Sequence, residues 1–146
     1  MAKVRVFFGT IVAFLVMSVG VLALSIAPWF SLGLDAVLKP GLFATTAAFN
    51  IYAVFVGILG ALFGGWLCAS ISRSRVAVVL LATLACAGGL ANAAAQSRKP
   101  EPGVRVTGVT VAQAISIRKE PAWFTLLIPC AGFVAILVSG HRALNR

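Results

Sequence analysis

The side chains able to do chemistry are few, and most stand apart from one another. The acids are Asp35, Glu101 and Glu120, all outside the long apolar stretches. The one histidine, His141, follows the last apolar stretch, and Cys68, Cys86 and Cys130 sit singly inside apolar runs with no C-x-x-C. A metal site needs several Cys, His or carboxylate ligands at close spacing, so no metal is expected. The cysteines read as small buried hydrophobes, and an apolar interior offers too little thiolate for a Cys86–Cys130 disulfide. Ser18, Ser25, Ser70 and Thr83 have no His or Lys beside them in sequence. Hydroxyls so placed bond back to the helix carbonyl four residues earlier. Gly57-x-x-Gly60-x-x-x-Gly64 is not G-x-G-x-x-G and follows no strand, so it cradles no phosphate. The usual general acids and bases are missing from the apolar core. Neither catalysis nor a cofactor is expected.

One group of uncharged polar residues draws together on topology. Asn50 and Tyr52 open one apolar run, while Asn92 and Gln96 close the next. Antiparallel neighbours would bring these four to one level with Thr45 and Thr46. Two readings compete there: hydrogen bonds between helices, worth about 0.6 to 2 kcal/mol each in lipid, and a binding mouth.

The elements that position these residues follow from composition. The chain has 146 residues, 61% hydrophobic and only 10% charged, with mean hydropathy +1.06. Soluble domains are about one quarter charged. Uncharged runs at 6–30, 49–71, 76–95 and 122–140 are each about long enough to cross a bilayer. We therefore expect an all-α integral membrane protein, a single four-helix transmembrane bundle over 1–146. The first run is too long for the apolar centre of a signal peptide, so it is read as an uncleaved span, with Trp29 as an interfacial anchor. The apolar connection over 31–46 is expected along the interface, with a turn at Lys39-Pro40-Gly41. In the polar loop 96–120, Val104–Thr107 alternates like a short strand, and Thr110 with Gln113 forms a capping box for a helix over Val111–Arg118. A continuous extended ribbon from Val104 to Ile117 is the rival.

Small residues recur at helical spacing. Gly57, Ala61, Gly65 and Ala69 form one stripe, with Gly60 and Gly64 beside it. Ala85, Gly89 and Ala93 form another in the third span. In lipid, such stripes let helices approach closely. The tight link after Ser72 makes the second and third spans antiparallel, so their stripes are expected to meet as an inner seam. Pro129, mid-span in the fourth, is the hinge candidate.

The net charge of +9 gathers at the ends of the spans. That placement suits the lipid bilayer and anionic lipid headgroups, not nucleic acid. Lys3, Arg5, Arg73, Arg75, Arg142 and Arg146 fall on one side, and Lys39, Arg98, Lys99, Arg105, Arg118 and Lys119 on the other. The count is even, so orientation rests on the two basic residues before the first span, which predict cytoplasmic termini. The layout resembles small four-span membrane proteins of bacteria, which implies the inner membrane. The first-span glutamate of small multidrug exporters and the cysteine pairs of quinone-linked thiol oxidases are absent. The leading expectation is a non-enzymatic accessory, assembly or self-associating subunit acting through helix packing, as a homo-oligomer or in a larger membrane complex. The alternative is a passive channel or transporter for a small neutral or anionic solute.

Overall fold

A chain in lipid must satisfy its backbone N–H and C=O groups within each segment, so apolar runs become helices. The computed structural model describes residues 2–101, 104 and 108–145. Its helices are α1 (Ala2–Ser31), α2 (Leu34–Val37), α3 (Ala47–Ser72), α4 (Arg75–Ser97), α5 (Val111–Ile117) and α6 (Ala122–Leu144). α1, α3, α4 and α6 are long and apolar enough to cross a membrane. The fold is thus an all-α, membrane-embedded, four-span bundle. Thr46 caps α3 by accepting from the Phe49 N–H at 3.2 Å. Arg73 ends it in the left-handed region at φ 50°, its N–H on the Ala69 carbonyl at 2.8 Å. Only Arg73 and Ser74 separate α3 from α4.

The four spans form a ring in the order α1, α3, α6, α4. Consecutive α3 and α4 touch each other far less than each touches α6. The expected seam between the second and third spans is therefore corrected. The stripe Gly57/Ala61/Gly65 lies along α6 instead: a Cβ on Gly57 would meet Ile128 at 3.9 Å, and one on Gly65 would meet Ile136 Cα at 2.9 Å. The second ridge, Gly60 and Gly64, lies against Val21 and Met17 of α1. Gly89 of α4 faces Pro129 of α6, where a Cβ would stand 2.7 Å from the ring. Ala69 and Ala93 are buried and Ala85 is half-buried. A tight turn makes two helices antiparallel; it does not keep a later helix from inserting between them.

The end carrying the connections has a core of its own. Trp29, Val37, Leu38, Phe43, Phe49 and Ala114 cluster there. Trp29 is 1% exposed and meets Phe49 edge to face at 5.7 Å. It is a core residue and not the interfacial anchor expected; Trp123, about half exposed, has the exposure such an anchor needs. Lys39-Pro40-Gly41-Leu42 turns with Gly41 at φ 70°, the left-handed value a type II turn needs, and the Leu42 N–H bonds the Lys39 carbonyl at 3.1 Å. The Lys119 N–H bonds the Phe43 carbonyl at 3.0 Å, tying this hairpin to the second connection. The helix expected after Thr110 is present as α5, with both halves of its capping box formed. Residues 105–107 lie outside the described residues, and the expected strand with them. Val104 pairs with Leu42 as an isolated antiparallel bridge.

Candidate functional site

α1 and α4 run parallel, since each starts at the end of the bundle where the termini lie. There they are in contact. The buried Thr10 hydroxyl donates to the Val6 carbonyl at 2.9 Å and lies 3.4 Å from the Ala77 carbonyl. Gly9, one residue earlier, lets α1 press on Ser72 of α3. Farther along, α1 and α4 part. A cleft of about 500 Å³ opens between Ser18, Leu22 and Ser25 on one wall and Ala85, Gly89 and Asn92 on the other. Its floor is α3 and α6, with Gly57, Ala61 and Gly132 among the lining residues. At two of these the glycines are roomy, since a Cβ on Gly57 or Gly132 would reach only ordinary contact at 3.9 Å.

Arg118 joins the lining from the loop after α5. Its guanidinium stacks 5.3 Å from the Trp29 ring centroid and pairs with Glu120 at 2.9 Å. The Glu120 side chain is only 7% exposed, so this carboxylate sits against the bundle end and depends on Arg118 for its partner. Lys99 Nζ donates to the Ser116 and Arg118 carbonyls at 3.1 and 3.2 Å, which satisfies the last carbonyls around α5.

The four uncharged polar residues do not form one ring. Asn92 lines the cleft, whereas Tyr52 lines a separate depression beside α2. Asn50 and Gln96 are buried, and Asn50 Oδ1 and Gln96 Oε1 meet no hydrogen-bond donor among the described residues. Gln96 lies one turn beyond Asn92 on the same stripe of α4. Tyr52 has a specific duty. Pro28 lacks an N–H, so the Leu24 carbonyl four residues earlier loses its helical donor. The Tyr52 hydroxyl donates to that carbonyl at 3.0 Å.

The hydroxyls also divide. Ser70 and Thr83 donate to the Trp66 and Val79 carbonyls at 2.8 and 2.9 Å, as expected of helix hydroxyls. Ser18 and Ser25 make no such bond among the described residues, and both face the cleft. Cys68 is buried, Cys86 half-buried and Cys130 exposed. Pro129 is buried within an unbroken α6, on the cleft floor. Thr10 and Gly9 escaped the sequence reading, and Arg118 and Glu120 entered it only as charges at the ends of the spans. Only Gly9 carried a signal, as a small residue one turn from Ala13 on α1.

The arrangement is an apolar slot with hydroxyl and amide groups on its walls and a cation at the end where the loops lie. No protein family, characterised protein or solved structure matches this chain.

Proposed function

We propose that this chain is a non-enzymatic accessory or self-associating subunit of the bacterial inner membrane. It works through helix packing, with both termini cytoplasmic. One observation carries the reading. The ridges on α3 are taken up inside the monomer, yet the outer half of α4 presents Gly88, Ala91 and Ala95 to lipid, all exposed, with open space at Gly88. α1 has parted from α4 at that level, so the face is ready for another small-residue helix. A photocrosslinker at position 91, in the native membrane, should give one discrete adduct with a second copy or another membrane protein. The same group at Leu126, exposed on α6, should give none. Ala91→Leu should abolish co-purification of that adduct's partner with helicity unchanged. If position 91 yields only monomer, the reading fails. A reporter after Arg146 that is active only outside the cytoplasm overturns the orientation.

A passive path for a small neutral or anionic solute is the second reading, supported by Asn92 and Arg118 in the cleft. Liposome flux that is the same with and without the protein removes it.

A further inference from the structure

The two ends of the bundle differ in how their cations are balanced. The chain has three acidic side chains, Asp35, Glu101 and Glu120, and all lie at the loop end. There Arg118 pairs with Glu120 at 2.9 Å and Lys119 with Glu101 at 2.8 Å. The terminal end holds Lys3, Arg5, Arg73, Arg75 and Arg142 with no acidic side chain. None of the three acidic side chains is there to balance them.

Two of these cations share a groove. α4 starts at Arg75 and α6 ends just past His141 and Arg142; antiparallel packing sets them at one level. Gly140 permits the close approach, since a Cβ there would stand 2.5 Å from Val78 Cγ1. Between the helices lies a groove of about 480 Å³, lined by Arg75, His141 and Arg142 and walled by Val79, Leu137 and Val138. Val79 and Val138 are exposed on its lipid side.

Helix electrostatics account for only part of this. Arg142 and His141 sit at the C-terminal end of α6, where cations are favoured. Arg75 sits at the N-terminal end of α4, where the dipole disfavours a cation. Among the described residues its Nη2 reaches only the neutral Asn145 Oδ1, at 3.5 Å. Ser74, the N-cap of α4, makes no side-chain cap bond, so the first N–H groups of α4 add further positive character. An anion at this rim would answer both.

We propose that this groove binds one anionic glycerophospholipid of the leaflet on the terminal side. Its phosphate lies between Arg75 and Arg142, and one acyl chain lies along Val79 and Val138. Basic pockets between membrane helices suit such headgroups, and the apolar walls continue directly into the hydrocarbon. The site is on the opposite end of α4 from the face assigned to helix packing, so either proposal stands without the other.

The test uses the full chain in neutral detergent, with bound lipid read by native mass spectrometry. Phosphatidylglycerol should be retained, and phosphatidylcholine with the same chains should be lost. Glycerol phosphate, which has the charge and no chains, should not compete. Arg75→Gln with Arg142→Gln should weaken phosphatidylglycerol binding about tenfold or more. Lys3→Gln with Arg5→Gln, at the same end and off the groove, should weaken it by less than about threefold. Val79→Trp fills the groove from its open side and keeps both arginines; it too should displace the lipid. Equal losses in the two double variants would reduce the effect to general surface attraction and overturn the proposal. So would equal retention of phosphatidylcholine, competition by glycerol phosphate at lipid concentrations, or undiminished binding by Val79→Trp.

Discussion

Gly65 and Gly88 are both mid-helix glycines, yet their surroundings oppose each other. A Cβ on Gly65 would press on the Ile136 backbone and the Ser139 hydroxyl, while Gly88 has nothing within 4 Å. Gly65→Ala should therefore lower the thermal midpoint in detergent, by an overpacking cost of about 1–3 kcal/mol. Gly88→Ala should hold or raise it, by up to about 0.5–1 kcal/mol from helix propensity. Equal shifts in the two variants would contradict this assignment of the glycines. Tyr52 offers a sharper test, because its partner is a carbonyl orphaned by a proline. Tyr52→Phe should cost about 1 kcal/mol by thermal unfolding. In a Pro28→Ala background, where the Leu24 carbonyl regains a backbone donor, that cost should vanish. A Tyr52→Phe penalty of the same size in both backgrounds would show that the hydroxyl acts elsewhere. Residue types at these sites were plain in the sequence, but their duties were not. Tyr52 lies near the start of a span and reads as part of a polar mouth; only the antiparallel packing of α1 and α3 brings it to Leu24.

At the scale of elements, the four spans were legible because lipid leaves little choice. A long run without charge must become a helix, and α1, α3, α4 and α6 match the runs with small extensions at their ends. α5 was legible for a local reason too, since its capping box is written in Thr110 and Gln113. Which helices touch was not legible. Small residues at every fourth position say that a helix can be approached closely, without naming the neighbour. The two ridges on α3 imply two neighbours, but their identity as α1 and α6 depends on α6 entering between α3 and α4. The loop-end core was hidden for another reason: Trp29, Val37 and Phe43 look like interfacial residues until α5 and the Lys39 turn cover them. Pro129 belongs to this scale. Its missing N–H weakens α6 near Thr125, while its ring packs on Gly89. Pro129→Ala should slow amide hydrogen exchange over residues 125–132 if the proline acts as a hinge. Unchanged exchange there would mean that packing on Gly89 already holds the helix, and the hinge role would be lost.

For the whole molecule, the ring order decides what the α3 ridges do. Gly60→Leu or Gly64→Leu would collide with Val21 or Met17 of the same chain. Both variants should lose folded monomer, read as a lower thermal midpoint and faster proteolysis in detergent. Folded variants that merely dissociate would assign the ridge to contacts between copies instead. The position of α6 has a further consequence for how the protein is made. Chains enter the membrane from the N-terminus, and α6 is the last of these four spans to arrive. Until it does, α3 and α4 are joined by two residues yet share little surface, and the stripe through Gly65 has nothing against it. A nascent three-span chain thus carries open, small-residue faces of the kind that other membrane helices bind. Of the steps that assemble these four spans, the interval before α6 is released leaves the most small-residue surface uncovered.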